Sequence, residues 1–209
     1  GDLYNHKNLA YCKAKYKNSM NIITGDGGFD FSSDYNNQEK SAFRLIFTQV
    51  AYAITMQKHN GHFILKIFDM FEKSTIEILY LLSCFYENVI ISKPYTSRYA
   101  NSEKYIICKS FKYNNTDDIS SKFIHILKLF ETLDFDKYTV FSILNIPINS
   151  YYMTHICEIN AILGHQQIDN ILNTIKIITH KDRKNDKIHT LKTQHTQKCI
   201  NWCMTNKIP

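Results

Sequence analysis

Residues 62–68 read His-Phe-Ile-Leu-Lys-Ile-Phe, a near-continuous apolar run with one lysine, Lys66, inside it. No other stretch restricts the fold as strongly. A strand that is apolar at successive positions fits the middle of a parallel sheet covered on both faces. Parallel neighbours need helix-length crossovers, and the flanking sequence supplies them. Residues 20–24 (Met-Asn-Ile-Ile-Thr) are a shorter apolar run that stops at Gly25-Asp26-Gly27-Gly28, as a buried strand ending in a tight turn would. Residues 29–34 read as a loop with candidate helix caps. From about Tyr35 to His59, Phe43, Phe47, Val50 and Ile54 recur at helical spacing. A second helix is expected over 74–87, a strand over 89–92 and another over 105–109. The link from Lys93 to Glu103 is too short for a helix, so the last strand is expected to run antiparallel to its neighbour.

The fold class is therefore α/β, followed by a helical C-terminal region with helical patterns at 119–133, 139–144, 151–178 and 190–206. Composition shifts at Lys112-Tyr113-Asn114-Asn115-Thr116-Asp117-Asp118, which places a boundary between residues 1–111 and 112–209. Hydrophobic residues make up 44% of the 209, enough for a packed core. There is no run of about 18 apolar residues and no signal peptide at the polar N-terminus, so no membrane partner is expected. The six cysteines are scattered, mostly in apolar stretches, and read as reduced core residues of an intracellular protein. A net charge of +6 suits a polyanionic partner without requiring one. The basic stretch 180–198 fits either phosphate tracking or a solvated linker. Cys199 and Cys203 with His195 lack a zinc-site spacing, and no metal is expected.

Three charged residues occupy places where chemistry is done. Asp26 lies at the carboxyl end of the first strand, the edge where open α/β sheets bind ligands. Lys66 sits in the most apolar strand, and a lysine is seldom buried without a partner. Snorkelling or a structural pairing remains open for it. Glu103 opens the last strand. Gly25-Asp26-Gly27-Gly28 lacks the Gly-Lys-Ser/Thr ending of a phosphate loop, which argues against nucleotide hydrolysis.

In combination, Asp26-Gly27-Gly28-Phe29, Lys66-Ile67-Phe68-Asp69, Lys93-Pro94 and Ser97-Arg98-Tyr99-Ala100-Asn101-Ser102-Glu103-Lys104-Tyr105 resemble the FtsJ/RrmJ-type ribose 2′-O-methyltransferases. They are most similar to the branch that methylates the cap-adjacent ribose of mRNA. The resemblance covers residues 18–111. It implies the C-terminal half of a Rossmann-like methyltransferase sheet, with S-adenosyl-L-methionine as methyl donor and RNA, capped mRNA first, as substrate. Asp26, Lys66 and Glu103 match three members of that family's Lys-Asp-Lys-Glu tetrad. Lys66 would act as base or would orient the ribose hydroxyl, with the two carboxylates holding it. Gly27 and Gly28, with Asp26, would lie on the donor side. Lys93, Arg98, Asn101 and Ser102 would meet the RNA, with solvated charges and plain turn residues as the alternative.

The first tetrad lysine and the glycine-rich donor loop have no match. Lys7, Lys13, Lys15 and Lys17 follow the place where that loop would stand, and none is assigned. The resemblance thus implies an upstream segment or chain that completes the sheet, and inactivity of this stretch alone. Tyr99 stands where relatives often carry proline. The closing Cys199-Ile200-Asn201-Trp202-Cys203 is similar to tails of viral and cellular relatives. The bias to Asn, Ile, Lys and Tyr points to a large DNA virus. A viral protein would act in cytoplasmic factories or the virion, a cellular one in the nucleus. Two rivals stand beside this reading: a non-catalytic RNA-binding scaffold on the same fold, and an enzyme of ribosomal or other structured RNA.

Overall fold

The computed structural model describes residues 1–28, 34, 36–179 and 185–208. Its elements run α1 (His6–Tyr16), β1 (Met20–Gly25), α2 (Gln38–Met56), β2 (Gln57–Ile67), α3 (Lys73–Phe85), β3 (Tyr86–Ser92), β4 (Lys104–Phe111), α4 (Asp117–Phe130), α5 (Ser150–Thr179) and α6 (Asn185–Thr205). Two compact units result, Gly1–Leu163 and Gly164–Pro209.

The four strands form one sheet in the order β1-β2-β4-β3. β1 is parallel to β2, and β4 is antiparallel to both β2 and β3. The three strands linked by helices therefore run the same way, and the strand after the short link runs against them, as the connection lengths predict. β2 is longer than the apolar run. Its N-terminal part carries a bulge: Met20 pairs with Gln57, but Ile22 pairs with His62. Asn60 takes a left-handed conformation there (φ 61°), and Gly61 packs so closely that a Cβ would lie 2.8 Å from the carbonyl oxygens of Asn21 and Lys58.

Coverage of the sheet differs from the sequence reading. Phe63, Leu65, Ile67, Ile106 and Cys108 are fully buried, while Ile64 and Ile90 are exposed and Ile22 is 66% exposed. β2 thus alternates in burial despite its continuous apolar sequence. α2 and α3 pack on the sheet, and the exposed isoleucines show that, among the described residues, the opposite face has no such cover. An apolar run marks what a strand is able to bury; which neighbours are present decides what it does bury.

α2 is buried at nearly every position from Ala42 to Thr55 because it packs against the sheet and against α1, α3 and α4. Phe47 stacks edge-on to Phe123 and meets Phe130 at 5.3 Å between ring centres, which ties α4 into the core. The helix ends earlier than its periodicity suggests. Gln57 turns its side chain to the Met20 and Asn21 carbonyls and accepts from the Tyr86 hydroxyl, and the chain enters β2. α1, which the sequence pattern does not reveal, is capped by the Asn5 side chain. Lys13 on it and Lys17 just past its end pair with Asp117 at the start of α4.

Residues 139–144 are not helical, contrary to expectation. The Glu77 carboxylate, fully buried on α3, accepts hydrogen bonds from the backbone N–H groups of Ile143 (2.6 Å) and Leu144 (3.1 Å) and from the Ser142 hydroxyl (2.8 Å). Those N–H groups are the ones a helix would need. Burial alone pushes the Glu77 carboxyl upward, but these bonds and Lys73 together outweigh it and hold it below the usual range.

The cysteines also depart from the core reading. All six are free, but only Cys108 is buried; Cys84, Cys157 and Cys199 are exposed. In the second unit, Ile168, Ile171, Leu172, Ile175 and Ile178 of α5 are exposed. The expected loop 29–34 lies outside the described residues apart from Asp34, which accepts from the Asn36 and Asn37 backbone. Residues 180–184 of the basic stretch also lie outside. No helix among the described residues is long and apolar enough to cross a membrane.

Candidate active site

The carboxyl end of β1 and the middle of the open sheet face bring the charged residues together. Lys66 is the next residue along β2 after Leu65, which pairs with Gly25. The pleat turns Leu65 into the core and Lys66 to the open face. Its Nζ lies 2.6 Å from Asp26 Oδ1 and also donates to the Asp26 carbonyl at 3.2 Å. The lysine side chain is 15% exposed and the aspartate 72%. The lysine is therefore sheltered and held, while its partner stays open to a ligand.

The turn that presents Asp26 is fixed from α2. Gln49 Oε1 accepts from the Gly27 N–H at 2.9 Å. A Cβ on Gly27 would come within 2.9 Å of Leu45, and one on Gly28 would stand 3.4 Å from Lys66 Nζ. The absence of side chains thus keeps the turn close to the helix and leaves room beside the lysine.

Across the sheet, Lys66 pairs with Tyr105 of β4, and Tyr105 with Ser92 of β3. Directly paired residues share a face, so lysine and tyrosine stand side by side. The Tyr105 hydroxyl donates to Glu103 Oε1 at 3.2 Å, and the Ser97 hydroxyl donates to the same oxygen at 3.3 Å. Burial raises the Tyr105 hydroxyl above its ordinary pKa, and the Glu103 charge, its hydrogen bond and the Asp26 charge add to the effect. Both carboxylates thus act on one tyrosine beside Lys66. Asp26 and Lys66, far apart in sequence, meet directly, and Glu103 is linked to them through Tyr105.

The remaining expected residues divide. Arg98 is exposed. Ser102 is nearly buried and donates to Gln38 at 2.9 Å. Lys93, just before the 94–103 loop, donates to Asn101 within it. Tyr105, Ser97 and Gln49 were not singled out in the sequence. Only the period of β4, which puts Tyr105 level with Lys66, could have signalled the first.

Comparison with known proteins identifies the family. The family model described as FtsJ-like methyltransferase matches residues 1–111. The chain is 34% identical over 106 residues to cap-specific mRNA (nucleoside-2'-O-)-methyltransferase 2 of Drosophila melanogaster, covering 51% of this chain and 15% of that protein. It is 37% identical over 101 residues to the corresponding methyltransferase 1 of Mus musculus, covering 48% and 12%. It is 35% identical over 113 residues to methyltransferase 1 of Trypanosoma brucei brucei, covering 53% and 30%. The chain thus spans less than a third of each of these relatives. A crystal structure of a ribosomal RNA methyltransferase from Plasmodium falciparum aligns over 50% of this chain and 53% of that one, with a TM-score of 0.39 and 18% identity, too weak a likeness to carry weight. With its model matched over residues 1–111, more than half of the 209, the chain belongs to the FtsJ-like methyltransferase family.

Proposed function

We propose that this chain carries the acceptor side of an S-adenosylmethionine-dependent RNA ribose 2′-O-methyltransferase, with capped mRNA as substrate. The observation that carries the reading is the sheltered Lys66 ammonium 2.6 Å from the open Asp26 carboxylate, at the strand edge where such sheets bind ligands. Relatives named as cap-specific mRNA methyltransferases support the substrate.

Lys66, once its ammonium has released a proton to solvent, orients the ribose 2′-hydroxyl and takes that hydroxyl's proton as the oxygen bonds to the donor methyl and the methyl–sulfur bond breaks. Asp26 fixes Lys66, and Tyr105 with Ser97 fixes Glu103 on the other side. S-adenosylmethionine, when bound, supplies a methyl group on a cationic sulfonium. The residues present fit that end of it: Asp26 offers an exposed negative charge, and Gly27 and Gly28 offer a turn without side chains. We read the exposed Arg98 as a contact to RNA phosphate. An upstream segment that adds to the β1 edge and covers the open sheet face would complete the donor site; the exposed Ile22 and Ile64 support it.

The test is methyl transfer to capped RNA by the full-length protein and by Lys66→Ala. Lys66→Ala is expected to lose at least about a hundredfold in kcat, as for loss of a positioned proton acceptor, with the thermal transition kept. A variant that keeps wild-type turnover would remove Lys66 from the chemistry.

A further inference from the structure

The residues leading into β4 show three successive backbone carbonyls each held by a lysine ammonium. Lys93 Nζ donates to the Asn101 carbonyl at 2.9 Å and to the Glu103 carbonyl at 2.6 Å, and also to the Asn101 side-chain oxygen. Lys104 Nζ donates to the Ser102 carbonyl between them at 2.8 Å. Lys104 is buried, and it is anchored in turn to the Phe68 carbonyl and to Asp69, each at 3.2 Å. An ammonium has three donors. Those of Lys93 all point into the loop.

We infer that Lys93 and Lys104 form a clamp that sets the position of Glu103, so that Lys93 is a positioning residue and not a contact to RNA. Loop 94–103 has no helix or strand bonds of its own to fix it; its backbone bonds are those of two turns, Ser97 to Pro94 and Asn101 to Arg98. Side-chain bonds from Ser102 to Gln38 and from Ser97 and Tyr105 to Glu103 also hold the segment, but without the clamp its backbone carbonyls lose their ties. With it, the three carbonyls before β4 are tied to the end of β3 and to the end of β2. The arrangement has a cost that fits a placed group. Burial, then the neighbouring Lys104 charge, lower the Lys93 ammonium to about 8, against the pull of Glu103 and Asp69. A lysine kept only for solubility or phosphate attraction would stay in water.

The role of Glu103 in catalysis rests on the functional reading above; the clamp does not. The experiment therefore has two arms on the full-length protein. Amide hydrogen exchange over 94–103 should quicken by about tenfold or more in Lys93→Met while the core amides are unchanged, as for release of a locally held segment. In methyl transfer, the same variant should lose kcat by about a hundredfold, the size expected for a small misplacement of a reacting group, with the RNA KM kept. Its RNA affinity should keep the salt dependence of the wild type, because a lost phosphate contact would lower the slope by about one. Should Lys93→Met fail to fold, Asn101→Ala removes one acceptor only and should quicken exchange about fivefold, the worth of a single bond. Unchanged exchange in these variants, or a raised RNA KM with a reduced salt slope, would overturn the clamp. A wild-type protein that transfers no methyl group would overturn the functional reading, and the exchange arm would still decide the clamp.

Discussion

Tyr105 and Glu103 meet through one hydrogen bond, and a single atom tests what that bond does. Tyr105→Phe removes the donor to Glu103 and leaves the ring beside Lys66. Turnover should fall about ten- to a hundredfold, the kinetic equivalent of one neutral-to-charged hydrogen bond, with little change in melting temperature. Glu77 gives the matching test for stability. Glu77→Ala leaves the part-buried N–H groups of Ile143 and Leu144 without their acceptor, while the Ser142 hydroxyl keeps the Leu144 carbonyl, and should cost about 1–3 kcal/mol in denaturant unfolding at neutral pH. Since the folded carboxyl is held below its unfolded value, its contribution is complete above roughly pH 4.5 and is lost as pH falls through the lower folded value. The gap between wild type and Glu77→Ala should therefore narrow in acid, and a gap that widened there would contradict the assignment. At this scale the sequence is partly legible. Asp26, Lys66 and Glu103 stand out because charge at the end of an apolar strand, or within one, is unusual. Gln49 and Tyr105 do not, since a glutamine in a helix and a tyrosine in a strand are ordinary until the register sets them against the site.

From β1 to β4 the strands and helices were readable in order and type, because crossover length decides direction and apolar spacing decides period. Their ends were less so. α2 stops at Met56 for the sake of the Gln57 side-chain bonds, and residues 139–144 give up a helix to Glu77; both are long-range effects that no local pattern contains. The bulge in β2 is another. Gly61→Ala would force a Cβ to 2.8 Å from two backbone oxygens and should destabilise the protein by about 1–3 kcal/mol, as overpacking does; thermal melting measures it. The half-covered sheet has a related cause. A continuous apolar run describes a strand made for two covers, and the described residues supply one. Ile64→Lys on the open face should leave the melting temperature of this chain nearly unchanged, as a surface substitution. It should weaken association with an upstream methyltransferase segment, measurable by calorimetry. Equal binding by both forms would show that the open face is not where that segment sits.

Over the whole chain, the family-matched residues 1–111 lie within the first compact unit, which continues to Leu163 through α4 and the start of α5. The sheet of that unit gathers an aspartate, a lysine and a glutamate from three strand ends, and the proposed activity follows from their position on an open face. The most direct measurement is mass spectrometry of nuclease-digested capped RNA after reaction with the full-length protein and S-adenosylmethionine. The expected product is a 2′-O-methylated nucleotide next to the cap, formed by wild type and absent with Lys66→Ala. A methyl group found on a base, or a 2′-O-methyl group formed equally by both proteins, would contradict the account.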